Sequence, residues 1–238
     1  MMKEAIILAG GSGFRLQSVN PDLPKALVPI AGKPFLHYLI THLQNQGIEK
    51  FIFALGYKHE LIEQYLLENY PALIQNNHIQ FSIETAPLHT GGAIQMALTK
   101  TSEQHVLIVN GDTLFLADLK ALTDFHLQQQ AVCTLALKPM FFFERYGVVE
   151  IDNNGRILSF LEKHFYEKGL INGGVYIMNT AAFLSLNLPA FFSFEKEYLH
   201  KYVSVLPIMG LVQDRYFIDI GIPEDLEKAQ VEFPGLTL

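Results

Sequence analysis

Short apolar runs alternate along the chain with stretches in which apolar residues recur every three to four positions, and glycine or proline separates the two. The run "KEAIILA" (3–9) predicts a buried strand, because it is almost wholly apolar and stops at glycines. A glycine-rich loop extends to about Pro24, and "PFLHYLITHLQNQG" (34–47) then has helical periodicity closed by Gly47. "KFIFALG" (50–56) predicts a second strand and "KHELIEQYLLENY" (58–70) an amphipathic helix. "IQFSIE" (79–84) predicts a third strand, "GGAIQMALTK" (91–100) a helix, and "QHVLIVNGD" (104–112) a fourth strand ending in Gly-Asp. Strands that alternate with helices through short links predict parallel pairing in a doubly wound α/β sheet. In such a sheet ligands collect at the carboxyl ends of the strands.

The pattern changes after Asp112. "LKALTDFHLQQQ" (119–130) is helical, but strand patterns then dominate in "AVCTLALKP" (131–139), "YGVVEID" (146–152), "RILSFLEK" (156–163) and "INGGVYIMN" (171–179). The Asn-Gly within "IDNNGRI" predicts a hairpin turn. A short helix near "SFEKEYLHKYV" (193–203), further strands through "YFIDI" (216–220) and a last helix over "PEDLEKAQ" (223–230) complete the reading. With no linker, repeat or low-complexity stretch, one continuous domain over 1–238 is expected, in an α/β half (1–112) and a strand-rich half (113–238).

Composition narrows the function. Half of the 238 residues are apolar, which supports a sizeable core. The net charge of −7 lacks the basic excess that a nucleic-acid or anionic-membrane surface needs. A single cysteine, Cys133, excludes a disulfide framework and a thiolate zinc cage, and its apolar setting reads as packing. Nine histidines show no HExxH-type spacing. The N-terminal apolar run is too short for a signal peptide and no membrane-length segment follows, so a cytoplasmic protein is expected.

The loop "ILAGGSGFRLQ" (7–17) is the first candidate for chemistry. It lacks the third glycine of the dinucleotide fingerprint, and no Gly-Lys-Ser/Thr occurs anywhere for a Walker loop. Two readings stay open: a glycine-rich turn that merely ends a strand, and a turn whose amides wrap a nucleotide with Arg15 aimed at its phosphates. The next segment, "PDLPKALVPIAGKPF" (21–35), carries Lys25 and Lys33 in a loop stiffened by prolines. An Arg and a Lys converging there suit a triphosphate or pyrophosphate, whereas Lys33 reads more readily as a surface lysine.

The glycine turn from Gly10 to Leu16, followed by Pro24-Lys25, resembles the signature of the sugar-phosphate nucleotidyltransferases. Further matches occur in that family's order: "APLHTGGAI" (86–94), "VNGDTL" (109–114), "RYGVVEID" (145–152), "FLEK" (160–163), "INGGVYIM" (171–178) and "YFIDIGIPEDLEKA" (216–229). The resemblance covers almost the whole chain. Within the family, "PDLPKAL", "AGKPF" and "LINGGVY" are most similar to the D-glycero-D-manno-heptose 1-phosphate guanylyltransferases. It implies a Rossmann-like mixed sheet in three α/β/α layers, with 1–112 as the nucleotide half and 113–238 as the sugar-phosphate half. The implied reaction joins a nucleoside triphosphate to a sugar 1-phosphate and releases pyrophosphate, by in-line attack on the α-phosphorus and with no enzyme nucleophile. Catalysis is then positioning and charge neutralisation.

On that resemblance Arg15, Lys25 and Lys163 are the catalytic cations. Asp112 and Asp219, at two strand ends, would hold Mg²⁺ together with phosphate oxygens. Leu8, Ala9, Gly10, Gly11, Ser12, Gly13, Glu84, Gly91, Gly92, Asn110 and Gly111 would surround the nucleotide. Tyr146, Gly147, Glu162, Lys163, Asn172 and Gly173 would surround the sugar phosphate. A carboxylate such as Glu84 only accepts hydrogen bonds. Guanine offers it two adjacent donors, whereas uracil and thymine set carbonyls beside their single N–H, so GTP is the expected nucleotide. The partners implied are the two substrates, with neither nucleic acid nor membrane; a homo-oligomer is compatible with the sequence but not specified by it. The alternatives are a relative acting on mannose, glucose or aminosugar 1-phosphate with another nucleotide, and a catalytically silent nucleotide-binding paralogue. Three departures stand out: Phe14 where relatives carry Thr, His89 where they carry Gly, and Ile222 where they carry Thr before the last helix.

Overall fold

The computed structural model describes residues 2–11 and 22–238. In chain order its strands are β1 (Glu4–Leu8), β2 (Pro29–Ile30), β3 (Lys33–Pro34), β4 (Lys50–Leu55), β5 (Ile79–Ile83), β6 (His105–Asn110), β7 (Thr113–Phe115), β8 (Cys133–Phe143), β9 (Val149–Ile151), β10 (Ile157–Phe160), β11 (Tyr166–Asn179), β12 (Ile208–Val212) and β13 (Phe217–Asp219). The helices are α1 (Phe35–Asn45), α2 (His59–Asn69), α3 (Pro71–Gln75), α4 (His89–Leu98), α5 (Leu119–Gln128), α6 (Thr180–Leu184), α7 (His200–Tyr202) and α8 (Pro223–Glu232).

Seven strands form one sheet in the order β12-β8-β11-β6-β1-β4-β5. β6, β1, β4 and β5 pair in parallel, as the strand–helix alternation predicts. β11 runs antiparallel to both β6 and β8, and β12 lies parallel to β8, so the sheet is mixed. Parallel strands covered on both faces read as continuous apolar runs. Alternate residues therefore enter different cores: Ile7, Phe51, Phe53, Leu107 and Val109 join Leu36, Leu39 and Leu43 of α1, while Ile6, Ile52 and Ile108 join Ile94 and Ala97 of α4. Helix–sheet–helix layering in a Rossmann-like α/β fold follows from that division.

The structure adds elements that the hydrophobic pattern did not specify. β2 and β3 make a two-residue hairpin in the proline-rich loop, turning at Ala31 and Gly32, both of positive φ. Short helices α3 and α6 and strand β7 are also new. β8 runs past the expected end at Pro139 to Phe143, and β11 starts at Tyr166 rather than at Ile171. Their pairing continues beyond the sheet as a ribbon, ending where Phe143 stacks on Tyr166 at 5.6 Å. The expected helix near 193–203 begins as a π-helical segment over Phe194–Leu199 and continues as α7. At Ile222 the start of α8 has no side-chain cap, as the departure from Thr implies, and Pro223 opens the helix. No helix among the described residues is long and apolar enough to cross a membrane.

Candidate active site

The carboxyl ends of β1, β4, β5 and β6 are stitched together by their own backbones. Ala9 N donates to Ala54 O (2.9 Å), Gly111 N to Leu8 O (2.9 Å), Tyr57 N to Gly10 O (3.1 Å) and Glu84 N to Leu55 O (2.8 Å). These contacts leave a cleft of about 710 Å³ above the strand ends. Leu8, Ala9, Gly10 and Gly11 line it from the end of β1. Glu84, Asn110 and Gly111 line it from the ends of β5 and β6, and Lys25 and Asp112 close one side. The backbones approach so closely that a Cβ on Gly111 would sit 2.6 Å from Leu8 O, which leaves glycine as the residue that fits there. Ser12, Gly13, Phe14 and Arg15 lie outside the described residues.

A second part of the site comes from the other half of the chain. β7 pairs antiparallel with β13, setting Thr113 opposite Asp219, and Ile220 N donates to the carbonyl of Asp112 at 3.0 Å. Two strand-end aspartates distant in sequence thus become neighbours. Lys25 Nζ lies 3.0 Å from Asp112 Oδ2. Burial pushes the Asp219 carboxyl up from the usual range, and the negative charge of Asp112 pushes it the same way. Lys25, the amide of Gly221 and Arg145 act in the opposite sense. Gly221 N donates to Asp219 Oδ1 at 2.8 Å, and Tyr146 Oη lies 3.4 Å from Asp219 Oδ2.

Two like-charged carboxylates pressed together are hard oxygen donors whose repulsion a divalent cation would relieve, so this pair fits such an ion. Among the described residues no group of three or more His, Cys, Asp or Glu side chains is arranged to hold a metal. A cation on this pair would therefore complete its shell from water and substrate oxygens, the arrangement that suits an ion bound mainly through phosphates.

Glu84 is held in place by its own loop: Oε2 accepts from Leu88 N at 2.8 Å. Burial raises its carboxyl from the usual range, and the Leu88 amide and His89 partly offset that. His89 lines the cleft at φ +58°, and its ring lies 4.3 Å from that of Phe191. Tyr57, Thr85 and Thr90 also line the cleft. These polar side chains were not singled out in the sequence, because they stand at helix starts and loops with no periodic signature.

Other residues expected at the site fall outside the lining of this cleft. Gly91 and Gly92 do not line the cleft; they are packing positions, since a Cβ on Gly91 would enter the Phe192 ring (2.3 Å) and one on Gly92 would meet Ala190 O (2.0 Å). Gly173 makes room for the Phe115 ring (2.4 Å from its Cβ position). The Asn172 side chain is spent inside β11, where Oδ1 accepts from Gly174 N (3.0 Å) and Nδ2 donates to Tyr176 Oη (2.9 Å). Tyr146 reaches the aspartate pair, and a Cβ on Gly147 would sit 2.4 Å from Leu161 O. Glu162 and Lys163 follow immediately, both exposed to solvent, away from the cleft lining. Arg145, which the sequence reading passed over, touches Asp225 and approaches Asp219.

Comparison with known proteins accords with this geometry. Over 229 residues the chain is 51% identical to the D-glycero-alpha-D-manno-heptose 1-phosphate guanylyltransferase of Aneurinibacillus thermoaerophilus, spanning 96% of this chain and 97% of that protein. The enzyme of the same description from Campylobacter jejuni is 43% identical over 222 residues, spanning 93% and 96%. The solved structure of HddC from Yersinia pseudotuberculosis complexed with GMP-PN superposes with a TM-score of 0.86 at 36% identity, covering 98% of this chain and all of that one. A family model described as nucleotidyl transferase matches residues 4–234, and the chain belongs to the nucleotidyl transferase family.

Proposed function

We propose that this protein transfers the guanylyl group of GTP to D-glycero-D-manno-heptose 1-phosphate, yielding the GDP-heptose and pyrophosphate. The observation that carries the reading is the convergence of Lys25, Asp112 and Asp219, drawn from three remote segments, at the side of the strand-end cleft. Such a cluster serves phosphoryl chemistry, which needs cations and cation-binding carboxylates around the transferred group rather than a nucleophile. In this reading an oxygen of the sugar phosphate attacks the α-phosphorus in line. A new P–O bond forms as the bond to the β-phosphate oxygen breaks, and pyrophosphate leaves with that electron pair.

The roles divide between the two halves of the chain. Residues 1–112 enclose the nucleotide and 113–238 the sugar phosphate. The amides of Gly10 and Gly11 face the triphosphate, and Arg15 and Lys25 neutralise it. Asp112 and Asp219 would hold Mg²⁺, which when bound supplies further charge neutralisation at the α-phosphate. Glu84 accepts from the N1–H and 2-amino group of guanine through the oxygen that Leu88 leaves uncommitted. Lys163 neutralises the incoming sugar phosphate, with Glu162 and Tyr146 beside the sugar. The names of the two heptose 1-phosphate guanylyltransferases that the chain resembles support the base and the sugar alike. The product is an activated glycosyl donor for glycan assembly, and we assign the reaction to the cytoplasm.

The test is a matrix of nucleoside triphosphates against sugar 1-phosphates with Mg²⁺, scored by pyrophosphate release. GTP with the heptose 1-phosphate should give the highest kcat/KM, and Lys25→Ala should lower it about 100-fold with an unchanged melting temperature. A preference for UTP or dTTP, or full turnover by Lys25→Ala, would overturn the reading.

A further inference from the structure

We propose that Arg145 is a positioning residue for this reaction: anchored by Asp225, it orients the Asp219 carboxylate without capping it. The inference rests on the reading of Asp219 as a cation ligand. Arg145 lies between β8 and β9, and its partners lie on β13 and in the first turn of α8, the nearer contact joining residues 80 apart in sequence. Nη1 donates to Asp225 Oδ2, while Nη2 stops 3.8 Å from Asp219 Oδ2. That second separation is too long for a hydrogen bond but close enough for strong attraction between part-buried groups. The guanidinium also lies 5.5 Å from the centre of the Tyr146 ring, whose hydroxyl is the 3.4 Å neighbour of Asp219 Oδ2.

Asp219 is therefore restrained from both sides. Gly221 N holds Oδ1, while Oδ2 accepts one long hydrogen bond from the Tyr146 hydroxyl and faces Arg145 at 3.8 Å, which leaves it lone-pair capacity for a cation. The arrangement depends on the planar fork of arginine, which presents nitrogens to two carboxylates while stacking on an aromatic face; a lysine ammonium cannot do all three. Asp225 is the restraint. With its charge drawn toward α8, Arg145 cannot close the last fraction of an ångström onto Asp219 and compete with an incoming cation. Tyr146 and Arg145 also belong to the segment assigned to the sugar, so the clamp ties sugar-side backbone to a cation-side carboxylate.

The two partners should fail differently. Arg145→Met and Arg145→Lys free the carboxylate, so kcat should fall roughly tenfold or more with the KM for GTP within about twofold, the scale of loss for groups that orient ligands. Asp225→Asn releases Arg145 onto Asp219, so the half-saturating Mn²⁺ concentration, read by electron paramagnetic resonance without turnover, should rise roughly tenfold. Arg145→Met added to Asp225→Asn should restore Mn²⁺ binding while leaving kcat at the Arg145→Met level. Urea unfolding of each variant separates these effects from lost stability. Unchanged Mn²⁺ binding in Asp225→Asn, additive losses in the double variant, or losses that track stability would overturn the clamp. Asp219→Asn is the control for the underlying reading: if it keeps normal Mn²⁺ binding, the assignment of Asp219 itself falls and the clamp with it.

Discussion

His89 holds a backbone conformation that suits glycine, φ +58°, at the first residue of α4 and on the wall of the cleft. A non-glycine residue there stores strain of about 1 kcal/mol or more, and such strain persists where surrounding contacts over-determine it. The contact that does so is its ring against Phe191, 4.3 Å away and tilted by 49°. The departure seen in the sequence at this position is thus a compensated one, strain offset by an aromatic pair worth about 1 kcal/mol. The two terms can be separated. His89→Gly loses the ring but relieves the backbone, whereas His89→Ala loses the ring and keeps the strain, so the alanine variant should be the less stable of the two by about 1 kcal/mol in urea unfolding. Equal stabilities, or alanine above glycine, would show that the backbone is unstrained. The same scale shows what was readable at the site. Lys25, Asp112 and Asp219 were legible because each stands where an apolar strand or a proline-stiffened loop ends in a charge. Arg145 and Asp225 were not, since their meaning lies in a contact across 80 residues that no local pattern records.

β11 shows how one element can serve two surfaces. Residues 175–179 lie in the central sheet between β6 and β8, while residues 166–172 form the outer ribbon with β8 alone. The register shifts between Asn172 and Tyr176, a bulge that redirects the strand. Gly174 takes φ +72° there, its amide goes to Asn172 Oδ1, and the Asn172 amide group goes on to the Tyr176 hydroxyl. An alanine at 174 meets both obstacles, a left-handed backbone and the Asn110 side chain 2.7 Å from the new Cβ. Gly174→Ala should cost about 2 kcal/mol of stability. It should also raise the KM for the nucleotide, because Asn110 lines the cleft and must move. Steady-state kinetics beside urea melts read both, and an unaltered KM would place Asn110 outside nucleotide contact. The run "INGGVYIMN" announced a strand and its glycines announced irregularity, but not where the bulge falls. Likewise "KPMFFFE" shows no sign that strand pairing continues, since Phe141 and Phe142 are exposed while Phe143 at the ribbon's end packs with Val148, Ile171 and Tyr166. The parallel half was readable almost element by element because both faces of each strand are apolar. The ribbon was not, because its pairing is stabilised by a long-range partner rather than by its own sequence.

Across the whole molecule, the periodic pattern specified which segments are strands but left open that β6 meets β11 antiparallel, the strand pairing that joins the two halves within the central sheet. The packing of the two faces of the sheet also buries ionisable groups in a way that makes the fold sensitive to acid. His42, on the buried face of α1, has neither ring nitrogen hydrogen-bonded among the described residues, and burial lowers its pKa to about 4. His126 is lowered to about 4 by burial and then by His105; its nitrogens meet His105 Nδ1 at 2.9 Å and Thr134 Oγ1 at 2.7 Å. Burial alone would raise Glu4, but hydrogen bonds from Ser102, Thr101 and Lys50 carry it down to about 2. All three shifts act in the same direction. For the histidines the unfolded chain takes up protons that the folded protein refuses, so stability present above about pH 6.5 is lost as the pH falls toward 4. Glu4 stabilises the fold while it is ionised, and that contribution fades below pH 4.5 as protonation approaches its folded value. Unfolding free energy should therefore be level near neutrality and decline by a few kcal/mol between pH 6.5 and 4. His42 allows a direct check, because an imidazole without partners is a desolvated polar group that leucine can replace at similar volume. His42→Leu should be more stable than the parent by about 1 kcal/mol at pH 7 and should flatten the decline below pH 6.5, with catalysis unchanged because no residue of α1 lines the cleft. Guanidinium unfolding of both proteins at pH 7, 6, 5 and 4 measures the two slopes. If they are parallel, His42 is not among the groups that make the fold acid-labile.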